Sequence, residues 1–139
     1  MTREHFRELV EAAIDSIPER FARQVRNVGV IIEDEPSAEL LDEMEVDADD
    51  TLLGLYDGTP LTERSWDYGN QLPDRILLFQ HPIEDDGDGS DADVRRAIGE
   101  TLIHELGHYF GMTEDEIDVV EEIWRQDAGG LPGSGDEGA

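Results

Sequence analysis

The chain has 139 residues, 37% of them hydrophobic, enough for one domain around a single core. It carries 36 acidic residues against 10 basic ones, all arginine, for a formal net charge of -26. That balance repels phosphate and excludes nucleic acid as a partner, while the absence of cysteine excludes disulfides, thiolate catalysis and cysteine-based zinc sites. Self-repulsion of this kind is well screened where the Debye length falls to ~3 Å, near 1 M salt, so the composition predicts a halophilic protein of a salt-rich cytoplasm. No apolar run approaches the ~20 residues that span a bilayer. Met1-Thr-Arg-Glu-His5 leads into an amphipathic segment, not the apolar core of a signal peptide. A cytoplasmic monomer without membrane contact is expected.

Phe6, Leu9, Val10, Ala13, Ile14 and Ile17 keep helical spacing, with Thr2 as N-cap and Pro18 as the stop. His5 lies at the polar start of that helix, where a solvated histidine is expected. Glu19 to Arg26 suits a short helix carrying Phe21 and Val25. Val28 to Glu33 is β-rich and predicts a strand that Pro36 ends. Ser37 to Met44 suits another short helix, followed by an acidic loop over Glu45 to Asp50. Leu52-Leu-Gly-Leu-Tyr56 then meets Asp57-Gly58, a hairpin-type dipeptide, with Thr59 to Trp66 as a returning strand or extended loop. Arg64 suits a surface ion pair, and Trp66 and Tyr68 suit caps on the core.

Asp74 to Pro82 is the strongest strand signal, apolar from Ile76 to Phe79 and ended by Pro82. His81, at its end, reads as a solvated side chain. Glu84 to Asp93 is acidic and glycine-rich and reads as a solvated linker. It is no EF-hand, because the glutamate required at loop position 12 falls on Ala97 or Arg96. A long helix begins near Ala92 with Val94, Ala97, Ile98, Leu102 and Ile103 on its inner face. Beyond Gly111, Thr113 and Glu116 form a capping box for a helix with Ile117, Val120, Ile123 and Trp124 as its buried stripe. From Gln126 onward, Gly, Pro, Ser and acids predict a disordered tail, leaving 1–125 as the domain.

The chemistry concentrates in His104-Glu105-Leu-Gly-His108-Tyr-Phe-Gly111-Met-Thr-Glu114. Histidines four apart on a helix project from one face and suit one Zn2+, and Glu105 lies beside them to take a proton from a metal-bound water. Gly111 permits a sharp turn, since glycine alone enters the left-handed region without a Cβ penalty. Glu114 then offers a carboxylate as third ligand, although a helix dipole favours an anion at that position without any metal. Asp115, Asp118, Glu121 and Glu122 are the alternatives. Zinc suits tetrahedral His and carboxylate ligation, with cobalt, nickel and manganese as other candidates.

These segments together resemble the minimal zincin-like metallopeptidases. The resemblance rests on Leu52 to Tyr56, Gly58-Thr-Pro-Leu-Thr-Glu-Arg64, Leu72 to Phe79, Pro82-Ile83 and the His104 to Gly111 motif, and covers about residues 4 to 125. It implies an α+β zincin-like fold, a small mixed sheet packed on helices with the metal helix beneath the sheet's edge. It also implies His104 and His108 as metal ligands, Glu105 as general base and a variable third ligand. The strand over Asp74 to Pro82 is a candidate for the edge strand beside that helix and is equally consistent with a central one. The chain departs from metzincins in lacking a third histidine and a methionine well downstream to form a Met-turn, its methionines being Met1, Met44 and Met112. Zinc-dependent hydrolysis of peptides or proteins is the expected activity, with Tyr109, His81 or Arg64 as candidate oxyanion donors. Alternatives are a non-catalytic metal-binding or protein-interaction module on the same scaffold, and a zinc hydrolase of non-peptide amides.

Overall fold

The computed structural model describes residues 1–46, 51–58 and 74–127. Thr2 caps the first helix, α1 (Arg3–Ser16), its hydroxyl accepting the His5 amide at 3.0 Å. The apolar stripe of α1 is buried from Phe6 to Ile14, and Ile17 follows it into the core. Helix α2 (Glu19–Val28) buries Phe21, Ala22 and Val25 and stops on Gly29, which adopts φ +87°. The strand predicted from Val28 therefore begins two residues later, as β1 (Val30–Glu33), because Val28 still belongs to the helix. It ends three residues before Pro36. Ser37 caps the short helix α3 (Ala38–Glu43) through a 3.0 Å bond from the Leu40 amide.

Strands β2 (Gly54–Asp57) and β3 (Arg75–Phe79) complete a three-stranded sheet in the order β1-β3-β2. Strand β1 runs parallel to β3, whereas β2 is antiparallel with Asp57 opposite Arg75. Thus β3 is central, which accounts for its unbroken buried run Ile76 to Phe79. The described partner of β2 is β3 rather than a strand begun directly after Asp57-Gly58. The expected segment Thr59 to Trp66, with Arg64, lies outside the described residues, as does Tyr68. Pro82 does not end β3 but lies inside the next helix, α4 (Gln80–Asp85).

The acidic stretch after α4 is tied down, contrary to its linker-like composition. The Asp93 carboxylate accepts the Asp88 amide at 2.8 Å, Asp88 accepts the Ser90 amide at 2.9 Å, and the Ser90 hydroxyl caps α5 (Asp91–Tyr109). Gly87 lies against Asp93 where a Cβ would collide with its carboxylate. Asp88 and Asp93 satisfy backbone amides here while the stretch from Asp85 to Ala92 stays exposed, so it is solvated as expected but held in one conformation.

Helix α5 is the centre of the core, with Ile98, Leu102, Ile103 and Leu106 wholly buried. Helix α6 (Glu114–Asp127) starts at the expected capping box, Thr113 and Glu116 exchanging bonds of 2.8 and 3.1 Å. It continues through Gln126 and Asp127, two residues into the predicted tail; the remainder lies outside the described residues. Ile117 and Trp124, seven apart, are buried, but Ile123 is 55% exposed and Val120 only partly covered. The reason is that α6 seats on two glycines of α5. A Cβ on Gly99 would strike the Trp124 indole, and one on Gly107 would come within 2.5 Å of Ile117 Cγ1. Ile123 lies about 100° round the helix from Trp124 and misses that seat.

Gly99→Ala is expected to be destabilising: overpacking a core costs about 1–3 kcal/mol, against about 1 kcal/mol gained in helix propensity. Gly107→Ala is expected to be destabilising for the same reason, since Ile117 Cγ1 is held by the stiff χ1 of a β-branched residue. Thermal unfolding of the two variants checks both. No described helix is long and apolar enough to cross a membrane.

Candidate active site

Along α5, Glu100, His104 and His108 recur every four residues and share one face. The two imidazoles meet edge-on with ring centroids 4.5 Å apart. The helix ends after Tyr109, and Gly111 at φ +80° turns the chain back into α6, with the Gly111 and Met112 amides closing on His108 and Gly107 carbonyls. Glu114 is the first residue of α6. Thr113 and Glu116 already supply the cap, so the Glu114 carboxylate is turned elsewhere: Oε2 lies 2.6 Å from His108 Nε2 and 4.0 Å from His104 Nε2. The bond from His108 holds the Glu114 carboxyl below the usual carboxylate range.

His104, His108 and Glu114 form a group in which each residue offers one donor atom within 4.8 Å of the others. Two imidazole nitrogens and one carboxylate oxygen are a donor set that suits Zn2+, leaving room for water or substrate in a fourth position. The other carboxylates considered as third ligand lie differently. Asp115 and Asp118 do not join the group with the two histidines, and Glu122 pairs with Arg125 at 2.7 Å. Glu121 approaches His104, but at Nδ1, with Oε2 3.7 Å away.

Glu105 points to the sheet rather than to the histidine face. Its Oε1 accepts the Tyr56 backbone amide at 3.0 Å. The Phe79 amide bonds the Leu53 carbonyl, so in this antiparallel pair the alternate positions Gly54 and Tyr56 turn their amides to the outer edge. Among the described strands, the edge strand beside the histidine helix is therefore β2, not β3. Its close approach needs Gly54, where a Cβ would lie 2.6 Å from Thr101 Cγ2. Burial pushes the Glu105 carboxyl up, opposed by the Tyr56 amide and the two histidines.

Tyr56 is fixed at both ends. Its ring stacks on Tyr109 at 4.5 Å, and its hydroxyl donates to Asp74 at 2.7 Å while accepting from Gln24 at 3.1 Å. Burial and the Asp74 carboxylate raise its pKa well above that of a free phenol. This residue is the one the sequence reading misses as a site component, because the contact uses a backbone amide that every residue but proline owns.

Of the expected oxyanion donors, Tyr109 is buried beneath Tyr56 and His81 is half-exposed on α4, paired with Glu35 at 3.3 Å. Arg64 lies outside the described residues. A cleft of about 300 Å³ opens beside His104 and Glu105, between Leu52–Gly54 of the sheet edge and the Ala97–Thr101 turns of α5.

A search of curated proteins finds no match. A family profile described as zincin-like metallopeptidase matches residues 25–124. That span holds the whole sheet, the helix bearing both histidines and Glu105, and α6 as far as Trp124. On a match of that extent, over an α+β fold whose edge strand lies against the histidine helix, the chain belongs to the zincin-like metallopeptidases.

Proposed function

We propose that this protein hydrolyses peptide bonds with zinc held by His104, His108 and Glu114 and with Glu105 as general base. The family implies a metal and peptide substrates. The observation that carries the finer reading is the convergence of three donor atoms within 4.8 Å, next to a glutamate anchored on the sheet edge. Bound there, zinc supplies Lewis acidity, lowering the pKa of water to ~7 and polarising a substrate carbonyl.

The rest of the chemistry belongs to the chain. The Tyr56 amide occupies Glu105 Oε1 and leaves the second oxygen for a proton. Glu105 takes that proton from water as the water oxygen bonds the carbonyl carbon. It then returns the proton to the amine as the C–N bond breaks. Burial strengthens the proton affinity that makes Glu105 a base, with the Tyr56 amide and the histidines opposing it.

Metal content by mass spectrometry, on protein kept in high salt, tests the ligands. One zinc per chain is expected in the wild type, lost in His104→Ala, weakened in Glu114→Ala and kept in Glu105→Gln. The zinc-loaded wild type should cleave members of a peptide library, and a chelator should stop it. Full zinc occupancy with no cleavage of any peptide would replace this reading with a non-catalytic metal-binding module.

A further inference from the structure

The structure assigns Glu121 as the residue that orients His104 for the metal, an inference that rests on the zinc reading above. Glu114, Ile117, Glu121 and Trp124 recur at helical spacing along the face of α6 turned to α5. Ile117 and Trp124 seat on Gly107 and Gly99, and this docking sets the two carboxylates opposite the histidines. The two ring nitrogens of His104 then face different acids. Nε2 of both histidines looks toward Glu114, at 4.0 and 2.6 Å, which puts the metal on that side. Glu121 Oε2 lies nearest the other ring nitrogen, 3.7 Å from Nδ1.

A metal-bound imidazole carries its remaining proton on the other nitrogen. A carboxylate facing that nitrogen fixes the tautomer, holds the ring plane and makes the bound nitrogen a stronger donor. The 3.7 Å separation is within ion-pair reach, though longer than a hydrogen bond.

Glu121 is itself braced. Its side chain is only 13% exposed, and its other oxygen lies 3.4 Å from Arg125 Nη2. Arg125 Nε donates to Glu100 at 2.7 Å, and Glu100 in turn accepts from Arg96 at 2.7 Å. Two of the chain's ten arginines are thus committed to the row of acids directly behind His104. Positioning, not proton transfer, is the role that follows, because Glu105 and not Glu121 is tied to the sheet edge beside which substrate reacts.

The test measures zinc affinity, by competition with a chelating indicator, in Glu121→Leu and Glu121→Gln. Affinity should fall about 10–100-fold in the leucine variant, and less in the glutamine variant, whose carbonyl still accepts a bond. The visible spectrum of bound Co2+ should keep its band positions in both, since the ligand set is unchanged. Proton–nitrogen correlation spectra of the zinc-loaded wild type should place the proton on His104 Nδ1, with a shifted resonance in Glu121→Leu. Glu122→Leu, which removes a neighbouring acid on an adjacent position of α6, should leave affinity within twofold, and circular dichroism confirms that each variant is folded. Zinc binding within twofold of wild type in a folded Glu121→Leu would overturn the inference while His104→Ala upholds the metal site. A Co2+ spectrum altered as in Glu114→Ala would overturn it the other way, making Glu121 a ligand. A wild type that takes no zinc would bring down the zinc reading and this inference together.

Discussion

Glu105→Gln is expected to lower kcat on a peptide substrate by about 10²–10⁴-fold, the usual worth of a positioned general base. Zinc content should be unchanged, because Glu105 is directed to the Tyr56 amide and not into the His104–His108–Glu114 group. Glutamine keeps a carbonyl oxygen for that amide, so the link to β2 survives and only the proton acceptor is removed. The metal-free fold should become no less stable, and at neutral pH somewhat more so. The sign follows from the raised carboxyl: folded Glu105 binds its proton more tightly than in the unfolded chain, whose value is 4.5. Stability from this group is therefore complete below pH 4.5 and is lost as pH climbs through the higher folded value. Glutamine cannot ionise and abolishes that loss. Parallel assays of turnover, zinc content and melting temperature at pH 4 and pH 7 check all three. Turnover retained in the glutamine variant would remove Glu105 from the mechanism.

Dialysis from molar salt into dilute buffer is expected to unfold the wild type. With 36 acids against 10 arginines, cationic partners are too few to neutralise the surface. Arg3 ties α1 to Asp34 and to the Ile32 carbonyl, Arg26 pairs with Asp15, and Arg75 with Asp57. Arg96 and Arg125 each serve several acids at once. Exposed pairs of this kind contribute about 0–1 kcal/mol each. The surplus negative charge is left to solvent ions, and at 0.01 M the Debye length reaches about 30 Å, so that every acid feels the others across the domain. Far-UV circular dichroism against salt concentration should show cooperative loss of helix at the dilute end. A spectrum unchanged in dilute buffer would refute the halophilic reading of the composition.

What the sequence makes legible is what depends on short spacing. Histidines at 104 and 108 share a face because helical geometry leaves no alternative, and Thr113 with Glu116 closes a capping box for the same reason. The stripe of α1 and the apolar run of β3 follow from the same periodicities. Features set by packing between distant segments are not legible. Nothing local announces that the Tyr56 amide, 49 residues away, holds Glu105. Val28 has a strand-former's branched side chain, yet Gly29 extends α2 over it by supplying the positive φ that ends the helix. Ile123 fits an apolar stripe by spacing, but Gly99 and Gly107 decide which face of α6 is buried. The Glu84 to Asp93 stretch is solvated as its composition suggests, but its Asp-to-amide bonds depend on conformation, not on residue type, and so could not be read in advance.

The turn at Gly111 divides the proposed ligands, with His104 and His108 before it and Glu114 after it. A metal gripped from both sides joins the two helices as a clasp, so occupancy and the docking of α6 become a single linked equilibrium. Whatever loosens Trp124 or Ile117 in their glycine seats would weaken the grip on the ion, and a saturating ion would return stability as RT ln(1 + [L]/Kd). On the proposed ligand set, the helix that supplies no proton-transfer group would thereby govern how much of the protein is loaded. Changes far from the histidines, on the face of α6 that meets Gly99, would then alter metal affinity together with stability.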